Sequence, residues 1–177
     1  MLKGRRMSKV GLFYGTDTGN TERVADMIKD EIGADIVEIH DIASASVEDF
    51  AKYDKLILGH PTWYYGELQS SWDDFWEDFK TIDFTDKQFA CFGLGDQDDY
   101  SEYFLDAMGF MHDIALEGGG IPAGYMSTDG FEWDESQALT EDEDFFVGLA
   151  IDEDQQPELT EGRVSAWVAQ IKEEMSI

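Results

Sequence analysis

Alternating strand-like and helix-like stretches predict that this 177-residue chain folds as one doubly wound α/β domain. Three observations carry that reading. The strand-like runs are continuously apolar, as in a parallel sheet covered by helices on both faces. The stretches between them repeat apolar residues at helical spacing. No repeat or linker divides the chain. The first strand is Val10-Gly11-Leu12-Phe13-Tyr14, which ends in a Gly/Thr/Asp turn cluster. Val24, Met27, Ile28 and Ile32 then mark one face of a helix that stops at Gly33. Ile36-Val37-Glu38-Ile39 is the second strand and Lys55-Leu56-Ile57-Leu58-Gly59 the third. Trp72, Phe75, Trp76 and Phe79 form the next helical stripe, with Ser70 or Ser71 placed to cap it. Phe89-Ala90-Cys91-Phe92-Gly93 is the fourth strand, and Phe104, Ala107, Met108, Met111 and Ala115 a helix closed by Gly118-Gly119-Gly120. Ile121–Met126 and Phe145–Ile151 both read as strand around the polar, acidic stretch Ser127–Asp144, which predicts a fifth strand interrupted by an insertion. Val164, Trp167, Val168 and Ile171 mark the last helix, with Thr160 as its cap.

Composition narrows the function. At 42% hydrophobic and 14% aromatic the chain can bury a core, which argues against disorder. Its 40 acidic against 12 basic residues give a formal net charge of −28, a field that repels phosphate polymers and anionic lipid. Nucleic acid and membrane surfaces are therefore excluded as partners. Self-repulsion of this size is relieved by screening, so the charge also suits a host that lives in salt. A single cysteine, Cys91, excludes a disulfide framework or a Cys-rich metal site. No apolar run is long enough to span a membrane. Residues 1–8 are expected to be an unstructured leader ahead of a domain over 9–177, with Met7 an alternative start. The leader lacks the apolar segment of a signal peptide, which points to the cytoplasm.

Ligands of open α/β sheets bind beyond the carboxyl ends of the strands. Three loops belong there. Thr16-Asp17-Thr18-Gly19-Asn20-Thr21 runs into the first long helix, where unpaired N–H groups, the helix dipole and three hydroxyls suit an anion. It has no lysine, so the phosphate loop of nucleotide triphosphatases is absent and a monophosphate fits better. Pro61-Thr62-Trp63-Tyr64-Tyr65-Gly66-Glu67 follows the third strand, and Leu94-Gly95-Asp96-Gln97-Asp98-Asp99-Tyr100 the fourth. Trp63 and Tyr100 flank the anion loop, so a planar ring can be held between them.

These three loops, in this order on these elements, resemble the flavodoxins, and the insertion Ser127–Asp144 resembles that of the long-chain subgroup. The likeness runs from Lys9 to the C-terminus. It implies five parallel strands in the family's order 2-1-3-4-5, an order carried over from the family and not read from spacing. It implies FMN as cofactor. By the same resemblance Thr16, Thr18, Gly19, Asn20 and Thr21, with the Asp17 N–H, would hold the phosphate. Pro61, Thr62, Trp63, Tyr64, Tyr65 and Gly66 would form the second loop, Trp63 stacking on one face of the ring and Tyr100 on the other. Leu94, Gly95, Asp96 and Gln97 would meet its pyrimidine edge. Tyr64 stands where the family's backbone carbonyl turns toward the ring on reduction, a turn that favours φ > 0 and hence Gly or Asn.

The resemblance implies a low-potential one-electron carrier that docks on a flavodoxin–NADP⁺ reductase and low-potential acceptor enzymes through its acidic surface, as a monomer. The alternative within the same fold is an FMN-dependent quinone reductase that oxidises nicotinamide itself. Between Lys87 and Arg163 the chain has no Lys or Arg, so a nicotinamide dinucleotide would meet repulsion over the flavin. The carrier is the expected reading. Gly93-Leu94-Gly95 lacks the rest of a dinucleotide fingerprint. His40, His60 and His112 show no ligand spacing, and Asp152-Glu153-Asp154 and Glu141-Asp142-Glu143-Asp144 lack calcium-loop spacing, so the carboxylates read as solvated faces.

Overall fold

A computed structural model describes residues 9–177; the expected leader at 1–8 lies outside the described residues. Strands β1 (Val10–Tyr14), β2 (Val37–Asp41), β3 (Lys55–Pro61) and β4 (Gln88–Leu94) pair in parallel in the order β2-β1-β3-β4. Helices α1 (Asn20–Ile32), α2 (Val47–Phe50), α3 (Ser70–Phe79), α4 (Asp106–Glu117) and α5 (Thr160–Glu174) cover the sheet. The runs are apolar without alternation because both faces are buried. Phe13, Leu56, Leu58, Phe89 and Cys91 pack with Phe50, Phe75, Phe79, Met108 and Met111 on one side. Their strand neighbours Leu12, Ile57, Ala90 and Phe92 pack with Val24, Ile28, Trp167, Val168 and Ile171 on the other.

The fifth strand is split as its sequence predicts. Strand β5 (Ile121–Ala123) pairs with Gln88–Ala90, and β8 (Gly148–Ile151) continues the same edge along Cys91–Leu94, also in parallel. Between them the chain leaves the sheet through a short antiparallel pair, β6 (Met126–Ser127) with β7 (Phe145–Phe146). The rest of the insertion lies along the start of α4. The Phe104 N–H donates to the Glu135 carbonyl, the Gln137 N–H to Asp106 Oδ1, and the Asp134 and Glu135 N–H groups both to the Ser101 carbonyl.

Two local expectations need correction. Helix α3 is capped by Gln69, whose Oε1 accepts the Trp72 N–H (3.1 Å), and not by Ser70 or Ser71. Gln69 is recruited because its amide also donates to Asp17 in the β1–α1 loop (2.9 Å), so the cap is a tertiary contact. Thr160 is the first residue of α5 and its buried hydroxyl has no partner among the described residues. Helix α2, which no sequence period marks, is one turn closed by a Ser46–Asp49 capping box and anchored by Phe50, which stacks on Phe13 at 3.8 Å.

Candidate functional site

The β1–α1 loop forms around two features. The Thr16 hydroxyl accepts the Gly19 N–H (2.9 Å), and Gly19 takes φ 91° at the start of α1. A Cβ there would meet nothing within 4 Å, so the glycine serves backbone conformation and not space. The Arg23 N–H reaches back to the Gly19 carbonyl (3.0 Å); the N–H groups of Asn20, Thr21 and Glu22 come before that bond and have no carbonyl one turn back to meet.

The β3–α3 loop is a closed turn in which Trp63 and Glu67 exchange both backbone hydrogen bonds (3.1 and 2.8 Å). The turn needs left-handed backbone at two places, Tyr64 (φ 44°) and Gly66 (φ 82°). Glycine adopts this freely; a tyrosine does so at about 1–2 kcal/mol of strain. The positive φ that the carbonyl turn favours is thus already present at Tyr64. The Tyr64 ring lies 6.0 Å from that of Trp63 and 6.3 Å, edge-on, from that of Tyr100. The loop is locked to its neighbours by the Thr62 N–H, which donates to the Leu94 carbonyl, and the Thr62 hydroxyl, which accepts the Ala107 N–H.

The loop after β4 is built on Asp96, whose Oδ1 accepts the N–H groups of Asp98 and Asp99 and the Gln155 side-chain amide. Carboxylates crowd here. The Asp96 charge pushes the Asp99 carboxyl above its usual range, and partial burial beside Asp96 and Asp152 does the same for Asp154.

The three loops meet in one cavity, lined by every residue the sequence singles out except Gly19, Tyr65, Gly66 and Gln97. Tyr65 is 71% exposed and packs edge-on against Tyr103. Gln97 is buried, with its side chain turned away from the cavity toward Asp152. The cavity is completed by Glu153 and Asp154 from the loop after β8, part of the acidic run Asp152–Asp154 expected from sequence to be a solvated face. Glu153 pairs with Arg23 of α1 at 2.6 Å, and Asp152 is fully buried. The spacing of the acidic run carried no signal for this. The cue was its position at the carboxyl end of a strand, where the other loops were sought.

A planar ring bearing a phosphate fits this donor set. The helix end supplies N–H groups and the hydroxyls of Thr16, Thr18 and Thr21. The buried Trp63 indole N–H has no hydrogen-bond partner among the described residues, an orphan donor where a ligand oxygen would satisfy it.

Behind the second loop lies His60, completely buried and stacked on Trp72 at 5.2 Å. Its Nε2 accepts the Gln69 N–H (3.1 Å), and burial pulls its pKa down to about 3. A histidine held neutral in the fold but free to protonate when unfolded stabilises the fold fully above about pH 6.5. That contribution is lost as pH falls from there toward 3. The stability advantage of the wild type over His60→Gln is expected to shrink by about 2 kcal/mol between pH 7.5 and 5. Urea titrations at the two pH values measure it, and a constant difference would show that the imidazole does not stay neutral.

The family model described as Flavodoxin matches residues 12–167. Flavodoxin 1 of Escherichia coli K12 is 52% identical over 171 residues, 97% of each chain, and the flavodoxin of Nostoc is 47% identical over 96% of this chain and 98% of its own. Among solved structures, Fusobacterium nucleatum flavodoxin bound to flavin mononucleotide superposes with a TM-score of 0.89 at 32% identity, covering 95% of this chain and 99% of that one. The Bacillus cereus flavodoxin 2 structure superposes at 0.72 with 26% identity, covering 94% and 99%.

Proposed function

The chain belongs to the flavodoxin family, and from that premise we propose that it is a low-potential one-electron carrier using bound FMN, shuttling between a reductase and acceptor enzymes. It is an electron-transfer protein and not an enzyme. The observation that supports the reading is that the hydroxyl-rich helix end, Trp63 and Tyr100 line the same cavity.

Thr16, Thr18, Asn20 and Thr21 hold the phosphate through hydroxyls and N–H groups, with Gly19 shaping the turn. Trp63 and Tyr100 flank the ring, and Leu94, Gly95 and Asp96 border its polar edge. FMN supplies the one-electron chemistry. The chain's own part is position and field: Asp96 and Asp154 in the cavity lining, with Asp99 beside Asp96, oppose any further negative charge on the ring, which favours a low potential. No Lys or Arg lies between Lys87 and Arg163 to hold a nicotinamide substrate, which argues against the quinone-reductase alternative.

The acidic surface suits docking on basic faces of a reductase and of low-potential acceptors, in the cytoplasm and as a monomer, through small contacts around exposed Tyr65 and Tyr100. No helix among the described residues is long and apolar enough to cross a membrane. The purified protein is expected to be yellow, to quench flavin fluorescence and to leave NADPH unoxidised until a reductase is added. Reduction through that reductase should slow as salt rises. A colourless protein that takes up no added FMN would overturn the assignment, and a salt-independent rate would remove electrostatic steering from it.

A further inference from the structure

Gln97 and Asp152, both outside the cavity lining, are joined in a way the ring-binding role of their loops does not require. Asp152 is 0% exposed and Gln97 7%. Asp152 Oδ2 accepts the Gln97 N–H (3.0 Å) and the Gln97 side-chain amide (2.8 Å). Its Oδ1 accepts the N–H groups of Asp154 (3.1 Å) and Gln155 (2.9 Å). A carboxylate buried this deeply is tolerated because four N–H groups face it, each bond strengthened by the charge. On the far side, Gln97 Oε1 accepts the Glu132 N–H of the insertion at 2.8 Å. The Gln97 amide therefore has both ends engaged, one on the loop after β8 and one on the insertion. The same insertion reaches Ser101, next to Tyr100, through the Asp134 and Glu135 N–H groups. Its contacts bracket Tyr100 from outside the cavity, at Gln97 on one side and Ser101 on the other.

We propose that Gln97, clamped between the buried Asp152 carboxylate and the Glu132 peptide, is a positioning residue that fixes the Asp96–Tyr100 loop, and that the insertion sets ring affinity through this clamp without touching the cavity. The proposal rests on the FMN reading above. It separates two functions of one site: the phosphate end is fixed by α1 and the Gly19 turn, whereas the ring end is fixed by the clamp. Loosening the clamp should weaken ring binding alone.

The test uses two probes on the apoprotein, riboflavin, which has the ring but no phosphate, and inorganic phosphate. Gln97→Met keeps the volume and removes both side-chain hydrogen bonds. Asp152→Asn presents an amide N–H₂ to at least one of its donors, which breaks one pair. Each variant is expected to bind riboflavin at least tenfold more weakly, read by quenching of its fluorescence, and to bind phosphate within twofold of wild type, read by calorimetry. Because the two residues act as one clamp, the double variant should lose little beyond the larger single loss. Unchanged riboflavin affinity, a parallel fall in phosphate affinity, or fully additive losses would each overturn the proposal. If Asp152→Asn fails to fold, Gln97→Met, on a loop, decides the matter through the ring-against-phosphate split. A wild-type protein that binds neither FMN nor riboflavin would overturn the cofactor reading itself, an outcome distinct from unchanged affinity in the variants.

Discussion

Trp63→Ala is expected to weaken FMN binding about a hundredfold, close to 3 kcal/mol. Two effects add to that figure. Stacking a planar heterocycle on an aromatic side chain is worth about 1–3 kcal/mol by alanine substitution. The indole N–H is buried without a partner among the described residues, so a bond from it to a phosphate oxygen would contribute about another 1 kcal/mol or more. Titration of the apoprotein with FMN and with riboflavin separates the two, because riboflavin retains stacking and lacks the phosphate. Phe at this position should recover the stacking part and not the hydrogen bond. A loss below threefold for Trp63→Ala would mean that the indole does not face the ring.

Gly109→Ala should destabilise the fold by roughly 2–3 kcal/mol, although alanine is the better helix former. In a solvent-exposed helix the exchange would stabilise by about 1 kcal/mol. Here a Cβ on Gly109 would lie 2.1 Å from the Gln137 carbonyl oxygen and 2.9 Å from the Ala138 nitrogen, both backbone atoms of the insertion. Backbone cannot swing aside as a long side chain can. Either α4 or the insertion must move, and with it the bonds of Gln137 to Asp106 and of Ser136 to Phe104. Overpacking of this kind costs about 1–3 kcal/mol, occasionally more, and outweighs the gain in helix propensity. The midpoint in urea should fall with an unchanged slope. A more stable variant would show that the insertion is only loosely seated on α4.

Legibility in the sequence followed the range of the forces involved. Strand β1 could be read because five consecutive residues are buried on both faces, and α3 because its apolar residues recur along one face. The split strand could be read because two apolar runs flank a polar one. The edge strand β2 ran to Asp41, beyond its expected end at Ile39, because most of it is only partly buried and its polar residues find partners: His40 stacks on Phe13 and hydrogen-bonds Tyr53. Helix α2 leaves no signal in the sequence because a single turn with one core residue has no period.

The sequence by itself determined the doubly wound architecture, the three loops at the carboxyl edge and the aromatic and hydroxyl residues in them. Those depend on periodicity, turn chemistry and residue type, which neighbours along the chain express. Only the tertiary structure decided that Glu153 and Asp154 belong to the cavity while Gln97 turns from it, that Asp152 is buried, and that Gln69 and not a serine caps α3. The Gln69 cap, the turn of Gln97 and the burial of Asp152 each depend on a polar group meeting a partner about fifty residues away, Asp17 for Gln69 and Asp152 for Gln97. A buried donor or acceptor must be satisfied by whatever the fold brings beside it, and no local pattern records which group that will be.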